Sequence, residues 1–166
     1  MSQMLKYGVI GAGHLGNFHI QQLKKNTDVQ VIGVYDLFEN NSLELSKKHN
    51  IPQYKSLNKI LVDADAVSIA TPASTHYEVA KKALINNCHI FVEKPFTKNI
   101  REGEKLIKLQ KSTKLKVQVG HIERFNAAFK YFYNNAHNPR FIESHRLSSY
   151  NDRGLDVDVI LDLMIH

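Results

Sequence analysis

Short apolar runs alternate along this chain with segments whose apolar positions recur every three or four residues. Tyr7 to Ile10 reads as an apolar strand, and the stretch opening near Gly16 carries a helical pattern. Val29 to Tyr35 predicts a second strand, Asn40 to His49 a helix, Ile51 to Tyr54 a connection or brief strand, and Leu57 to Leu61 a further helix. The alternation then becomes regular: strand Ala66 to Ala70, helix Tyr77 to Asn86, strand His89 to Val92, helix Arg101 to Lys111 and strand Lys116 to Val119. Strands separated by helices of this length predict an α/β fold, a doubly wound parallel sheet with helices on both faces.

Beyond Gly120 the pattern changes. Asn126 to Asn134 reads as an aromatic-rich helix, Phe141 to Leu147 alternates as a strand, and Leu155 to Ile165 is apolar at helical spacing. Residues 1–121 are therefore expected to form one domain. Residues 122–166 are expected to be a helix, strand and helix that start a second, α+β domain. The last helix reaches His166 without a stop signal, so a truncated chain is expected, although a natural C-terminal helix is the alternative. A strand Phe141 to Leu147 without its sheet would leave an open edge, through which the chain is expected to self-associate.

Composition narrows the setting. With 43% hydrophobic residues the chain has enough apolar material for one sizeable core. It has no apolar run of membrane-spanning length and no cleavable leader, and a cytoplasmic location is the expectation. The single cysteine, Cys88, precedes a buried-type strand and reads as a small core residue rather than a nucleophile. The net charge of +6 comes from lysines scattered over helices, which reads as solvated faces. No basic stripe interleaved with aromatics points to nucleic acid, and the charge suits an anionic small ligand such as a dinucleotide or nucleotide sugar.

The candidate chemistry starts at Gly11-Ala12-Gly13-His14-Leu15-Gly16, between the first strand and the first helix. In the dinucleotide-binding turn of a Rossmann fold, the first glycine makes the tight bend, the second admits a pyrophosphate, and the third packs helix on strand. The helix N-terminus then faces the phosphates. Asp36, about twenty residues beyond Gly16 at the end of the second strand, fits a ribose diol and repels a 2′-phosphate, which favours NAD over NADP. Asp36 also reads as a cap for the helix that follows. Ligands in such sheets lie beyond the carboxyl ends of the strands. Gly11 to Gly16, Asp36, Ala70 to Pro72, Glu93 to Pro95 and Gly120-His121 therefore form one rim.

On that rim Lys94, held extended by Pro95, suits a group that hydrogen-bonds a substrate hydroxyl or lowers its pKa during hydride transfer, though it also reads as a solvated strand end. Asp162 and His166 stand four apart, so on a helix they share a face and suit an acid-base pair, which is also an ordinary helix pairing. The nine histidines offer no metal-ligand spacing, and no metal is expected.

Together, Gly8 to Gly16, Thr71-Pro72-Ala73-Ser74-Thr75-His76, Glu93-Lys94-Pro95-Phe96 and the closing Asp162 to His166 resemble the N-terminal half of the Gfo/Idh/MocA oxidoreductases. Gly120 to Asn126 and Asp156 to His166 resemble the subgroup that oxidises UDP-N-acetylhexosamines at the 3-position, although Ala127 stands where that subgroup suggests a proline. The resemblance implies an NAD-dependent dehydrogenase with Lys94, Asp162 and His166 as catalytic residues. It implies cofactor contacts from Gly11, Gly13, His14, Leu15, Gly16, Asp36, Thr71, Pro72, His76, Glu93, Lys94 and His121. Substrate contacts would come from Lys94, Arg124, Asn126 and His166, of which Arg124 and Asn126 also read as helix-start residues. Family members run to about twice this length, so the resemblance further implies a homo-oligomer built through the missing domain and a fragment inactive by itself. The alternatives are an inositol or free-sugar dehydrogenase, and an NAD-binding sensor without redox chemistry.

Overall fold

A computed structural model describes residues 4–143, 145 and 160–161. Six parallel strands, β1 (Leu5–Ile10), β2 (Val29–Tyr35), β3 (Gln53–Tyr54), β4 (Ala66–Ile69), β5 (His89–Val92) and β6 (Val117–Val119), form one sheet in the order β3-β2-β1-β4-β5-β6. The chain first winds outward from β1 to β3, then returns and winds the other way from β4 to β6. The crevice between the ends of β1 and β4 is the switch point of this topology, where α/β sheets bind ligands.

The helices are α1 (His14–Leu23), α2 (Glu39–His49), α3 (Leu57–Asp63), α4 (His76–Ile85), α5 (Ile100–Lys111) and α6 (Ala127–Asn135). Each predicted helix and strand up to Val119 is present, with ends shifted by one or two residues and Ile51-Pro52 left outside β3. Local chemistry explains several ends. Asn99 caps α5 by accepting the Glu102 N–H at 3.0 Å, and Glu102 in the first turn with Lys108 and Lys111 in the last complement the helix dipole. Asn50 closes α2 in the left-handed conformation that asparagine tolerates.

Alternating strand residues feed two cores. Ile10, Val67, Ile69, Ile90 and Val92 pack with Ile60, Leu61, Leu84 and Leu106 of α3, α4 and α5. Val9 and Val34 pack with Ile20 of α1 and Leu45 of α2 in a smaller cluster. Among the described residues this second cover stops short of β5. It leaves a groove of about 680 Å³ beside α1, lined by Tyr7, Phe18, His19, Ser68, Phe91 and Glu93 among others.

The strand expected over Phe141 to Leu147 differs from what is observed. Phe141, Ile142, Glu143 and His145 have no strand pairing, and Ser144, Arg146 and Leu147 lie outside the described residues. An alternating sequence selects faces, but a strand also needs a neighbour for its backbone hydrogen bonds. Most of the helix expected over Leu155 to Ile165, together with Asp162 and His166, also lies outside the described residues. No helix among the described residues is long and apolar enough to cross a membrane.

Candidate dinucleotide and substrate site

The glycine turn connects β1 to α1 in the crevice. Gly11 has φ +100, and a Cβ there would come within 2.5 Å of the Ala70 carbonyl oxygen at the end of β4. A Cβ at Gly16 would run into the Gly11 carbonyl oxygen, so α1 approaches the turn only because that side chain is absent. Gly13 differs: a Cβ would meet nothing within 4 Å, because this residue faces open space. It caps α1 without a side-chain hydrogen bond, so the N-terminal N–H groups of α1 start at an open cradle. That cradle fits a pyrophosphate. His14 is exposed and Leu15 half-buried at its edge.

Asp36 leaves β2 directly beside the turn. Its Oδ2 accepts the Ala12 N–H at 2.6 Å and its Oδ1 accepts the Phe38 N–H at 2.8 Å. The N-cap position of α2 is Phe38, so Asp36 closes its own turn rather than capping that helix. A half-buried carboxylate at this place fits an adenosine ribose.

The loops after β4 and β5 complete the rim. Thr71 is half-buried and Pro72 exposed, and the Thr75 hydroxyl donates to the Pro72 carbonyl oxygen and shares a hydrogen bond with the Thr71 hydroxyl, both at 2.8 Å. His76, expected among the cofactor contacts, lies beneath this rim with 1% exposure. Its Nδ1 is 2.7 Å from the Pro95 carbonyl oxygen and its Nε2 is 2.9 Å from that of Thr71. The ring thus lies between the Thr71 loop and the Glu93-Lys94-Pro95 loop, in reach of a backbone carbonyl oxygen of each. Lys94 is half-buried and joined by a cis peptide bond to Pro95, the next residue, which is itself buried.

His121 is half-buried just past β6, and Arg124 is exposed in the short turn Ile122–Phe125. Asn126 caps α6 by accepting the Ala128 N–H at 2.9 Å and donates to the Glu123 carboxylate at 2.8 Å. Its side chain is engaged as a helix-start residue. No group of metal-ligating side chains is found among the described residues.

Sequence reasoning passed over one residue that the fold brings to the rim. His19, on α1, reaches Glu93 with its Nε2 2.8 Å from Oε1. Its signal is a polar side chain three residues after Gly16, on the side of the helix that must pack down on the strands.

A glycine turn at a switch point, a carboxylate at the end of β2 and two rim loops facing it define a dinucleotide-binding Rossmann domain. Residues 5–121 match the family model described as oxidoreductase family, NAD-binding Rossmann fold, and the chain belongs to the Gfo/Idh/MocA oxidoreductases, whose cofactor is NAD. It is 39% identical over 163 residues to UDP-N-acetylglucosamine 3-dehydrogenase of Acidithiobacillus ferrooxidans, covering 98% of this chain and 51% of that protein. A solved structure of that enzyme superposes with a TM-score of 0.90 at 38% identity, covering 99% of this chain and 54% of the other. The scyllo-inositol 2-dehydrogenase (NAD(+)) of Bacillus subtilis is 31% identical over 133 residues, 78% of this chain and 39% of its own. The chain thus spans about half the length of the relatives it matches.

Proposed function

We propose that this chain is the cofactor-binding half of an NAD-dependent dehydrogenase that oxidises a secondary hydroxyl of a nucleotide sugar, the 3-hydroxyl of a UDP-N-acetylhexosamine. The observation that carries the reading is that the glycine turn, Asp36 and the Glu93-Lys94-Pro95 loop share one edge of the sheet. The likeness to the Acidithiobacillus enzyme over nearly the whole chain supports the choice of sugar.

The open cradle at Gly13 and the N-terminus of α1 would hold the pyrophosphate, with His14 and Leu15 beside it, and Asp36 would hold the adenosine ribose. Thr71, Pro72, Glu93 and His121 would line the nicotinamide side. When bound, NAD supplies the hydride acceptor. Lys94 would hydrogen-bond the sugar hydroxyl through Nζ and stabilise negative charge as that oxygen gives up its proton. His166 would take the proton, with Asp162 orienting its ring and stabilising the imidazolium. The alcohol carbon loses a hydride and its oxygen a proton, which leaves a 3-keto sugar and NADH. Arg124 and Asn126 would touch the substrate from the segment after β6, which leads into a second, α+β domain.

Incubating the intact enzyme with NAD and UDP-N-acetylglucosamine is expected to release NADH and a 3-keto product. Turnover of inositol or free glucose, with none of any nucleotide sugar, would overturn the choice of substrate. We also infer a homo-oligomeric parent, and self-association of this chain through Phe141 to Leu147 and the aromatic helix before it.

A further inference from the structure

His19 and Glu93 meet across the space between α1 and the end of β5. The pair is nearly enclosed, with side-chain exposures of 13% and 11%. A carboxylate only accepts, so the His19 Nε2–H donates to Oε1 at 2.8 Å. The imidazole also stands edge-on to Phe91, with ring centroids 5.3 Å apart, which fixes its plane. Its Nδ1 is buried with no hydrogen-bond partner among the described residues. A ring kept in place with one nitrogen unsatisfied is there for the bond made by the other.

Glu93 is also confined by backbone. A Cβ on Gly120, at the end of β6, would come within 2.9 Å of Oε2, so the carboxylate lies flat against a residue that has no side chain to displace it. The Gly120 N–H donates to the Val92 carbonyl oxygen at 2.8 Å, and the Glu93 N–H to that of Ile69 at 3.0 Å. The main chain of this residue is therefore set by the sheet, and the direction of its carboxylate by His19. Lys94 is the next residue along. The helix that begins at the phosphate cradle thus also carries the group that orients the opposite end of the cleft.

We propose that His19 is a positioning residue of the dehydrogenase. It holds the Glu93 carboxylate in one orientation at the nicotinamide end of the cleft, beside Lys94. This rests on the reading above that Glu93 and Lys94 face the nicotinamide side. A buried carboxylate deprived of its donor reorients, because unpaired burial of a charge is costly.

The test is a double-mutant cycle read on NADH alone, by the affinity and the emission of the bound reduced nicotinamide. His19→Ala is expected to weaken NADH binding by about tenfold, the scale of one hydrogen bond to a charged group, and to change the emission of the bound form. His19→Gln restores an N–H donor and is expected to recover affinity to within about threefold. In a Glu93→Ala background, the further change His19→Ala is expected to have less than a twofold effect. Equal losses in His19→Ala and His19→Gln would overturn the proposal, as would an unchanged effect of His19→Ala in the Glu93→Ala background. Because no sugar enters this measurement, a missing sugar turnover overturns the substrate reading and leaves the cycle intact.

Discussion

The Asp36 carboxylate is hydrogen-bonded to the phosphate turn itself, accepting the Ala12 N–H at 2.6 Å. The residue proposed to hold the adenosine ribose is therefore also bonded to the loop proposed to receive the pyrophosphate. Asp36→Ala removes an acceptor for Ala12, an acceptor for the Phe38 N–H and the charge that repels a 2′-phosphate. NAD affinity is expected to fall by about tenfold or more, the scale of hydrogen bonds to a charged group, while NADP affinity falls less. Calorimetry with both cofactors checks this, and a variant that keeps the wild-type preference for NAD removes the role given to Asp36.

Gly13 and Gly16 separate binding from folding. At Gly13 the backbone has φ −80, which any residue adopts, and a Cβ meets no protein atom. Gly13→Ala is expected to keep the melting temperature of the free chain and to lose most of the rise that saturating NAD produces. Gly16→Ala forces a Cβ into the Gly11 carbonyl and is expected to lower stability before any ligand is added. Thermal melts of both variants with and without NAD test the contrast. Equal behaviour of the two would show that Gly13 does not face the pyrophosphate.

Much of this was legible in the sequence because it is local. Ala66 to Ile69, buried at all four positions, reads as a strand covered on both faces, and the glycine turn with Asp36 announces its own topology. What escaped depends on long-range meetings. His19 and Glu93 lie 74 residues apart, and His76 reaches the Pro95 carbonyl from 19 residues away. Neither spacing follows a local period, so only the sheet order brings these groups together. The described part of Phe141 to Leu147 has no strand pairing, since alternation in sequence cannot supply the partner strand.

The aromatic end of the described chain carries a prediction about association. No residue of α6 is buried, Phe129 and Tyr133 stack with centroids 6.3 Å apart on its surface, and Phe141 and Ile142 are 80% and 65% exposed. Exposed apolar side chains of this number favour self-association. Sedimentation velocity is expected to show a mass that rises with concentration, and Phe129→Glu with Phe132→Glu to shift the chain toward monomer. A chain monomeric at every concentration, with or without these changes, contradicts the expectation.

Cys88 is expected to make stability depend on alkaline pH. It is fully buried, its Sγ–H donates to the Leu61 carbonyl oxygen at 3.1 Å, and burial, helped by the nearby Asp65 charge, pushes the thiol up from its ordinary 9.0 to about 11. The unfolded chain therefore releases this proton first. Its contribution is fully present below pH 9 and is lost as pH rises toward 11, at about 1.4 kcal/mol per pH unit within that window. Urea unfolding at pH 8 and pH 10 is expected to show a loss about 1 kcal/mol smaller in Cys88→Ala than in the wild type. Parallel losses in the two proteins would mean that the thiol does not stay neutral in the fold.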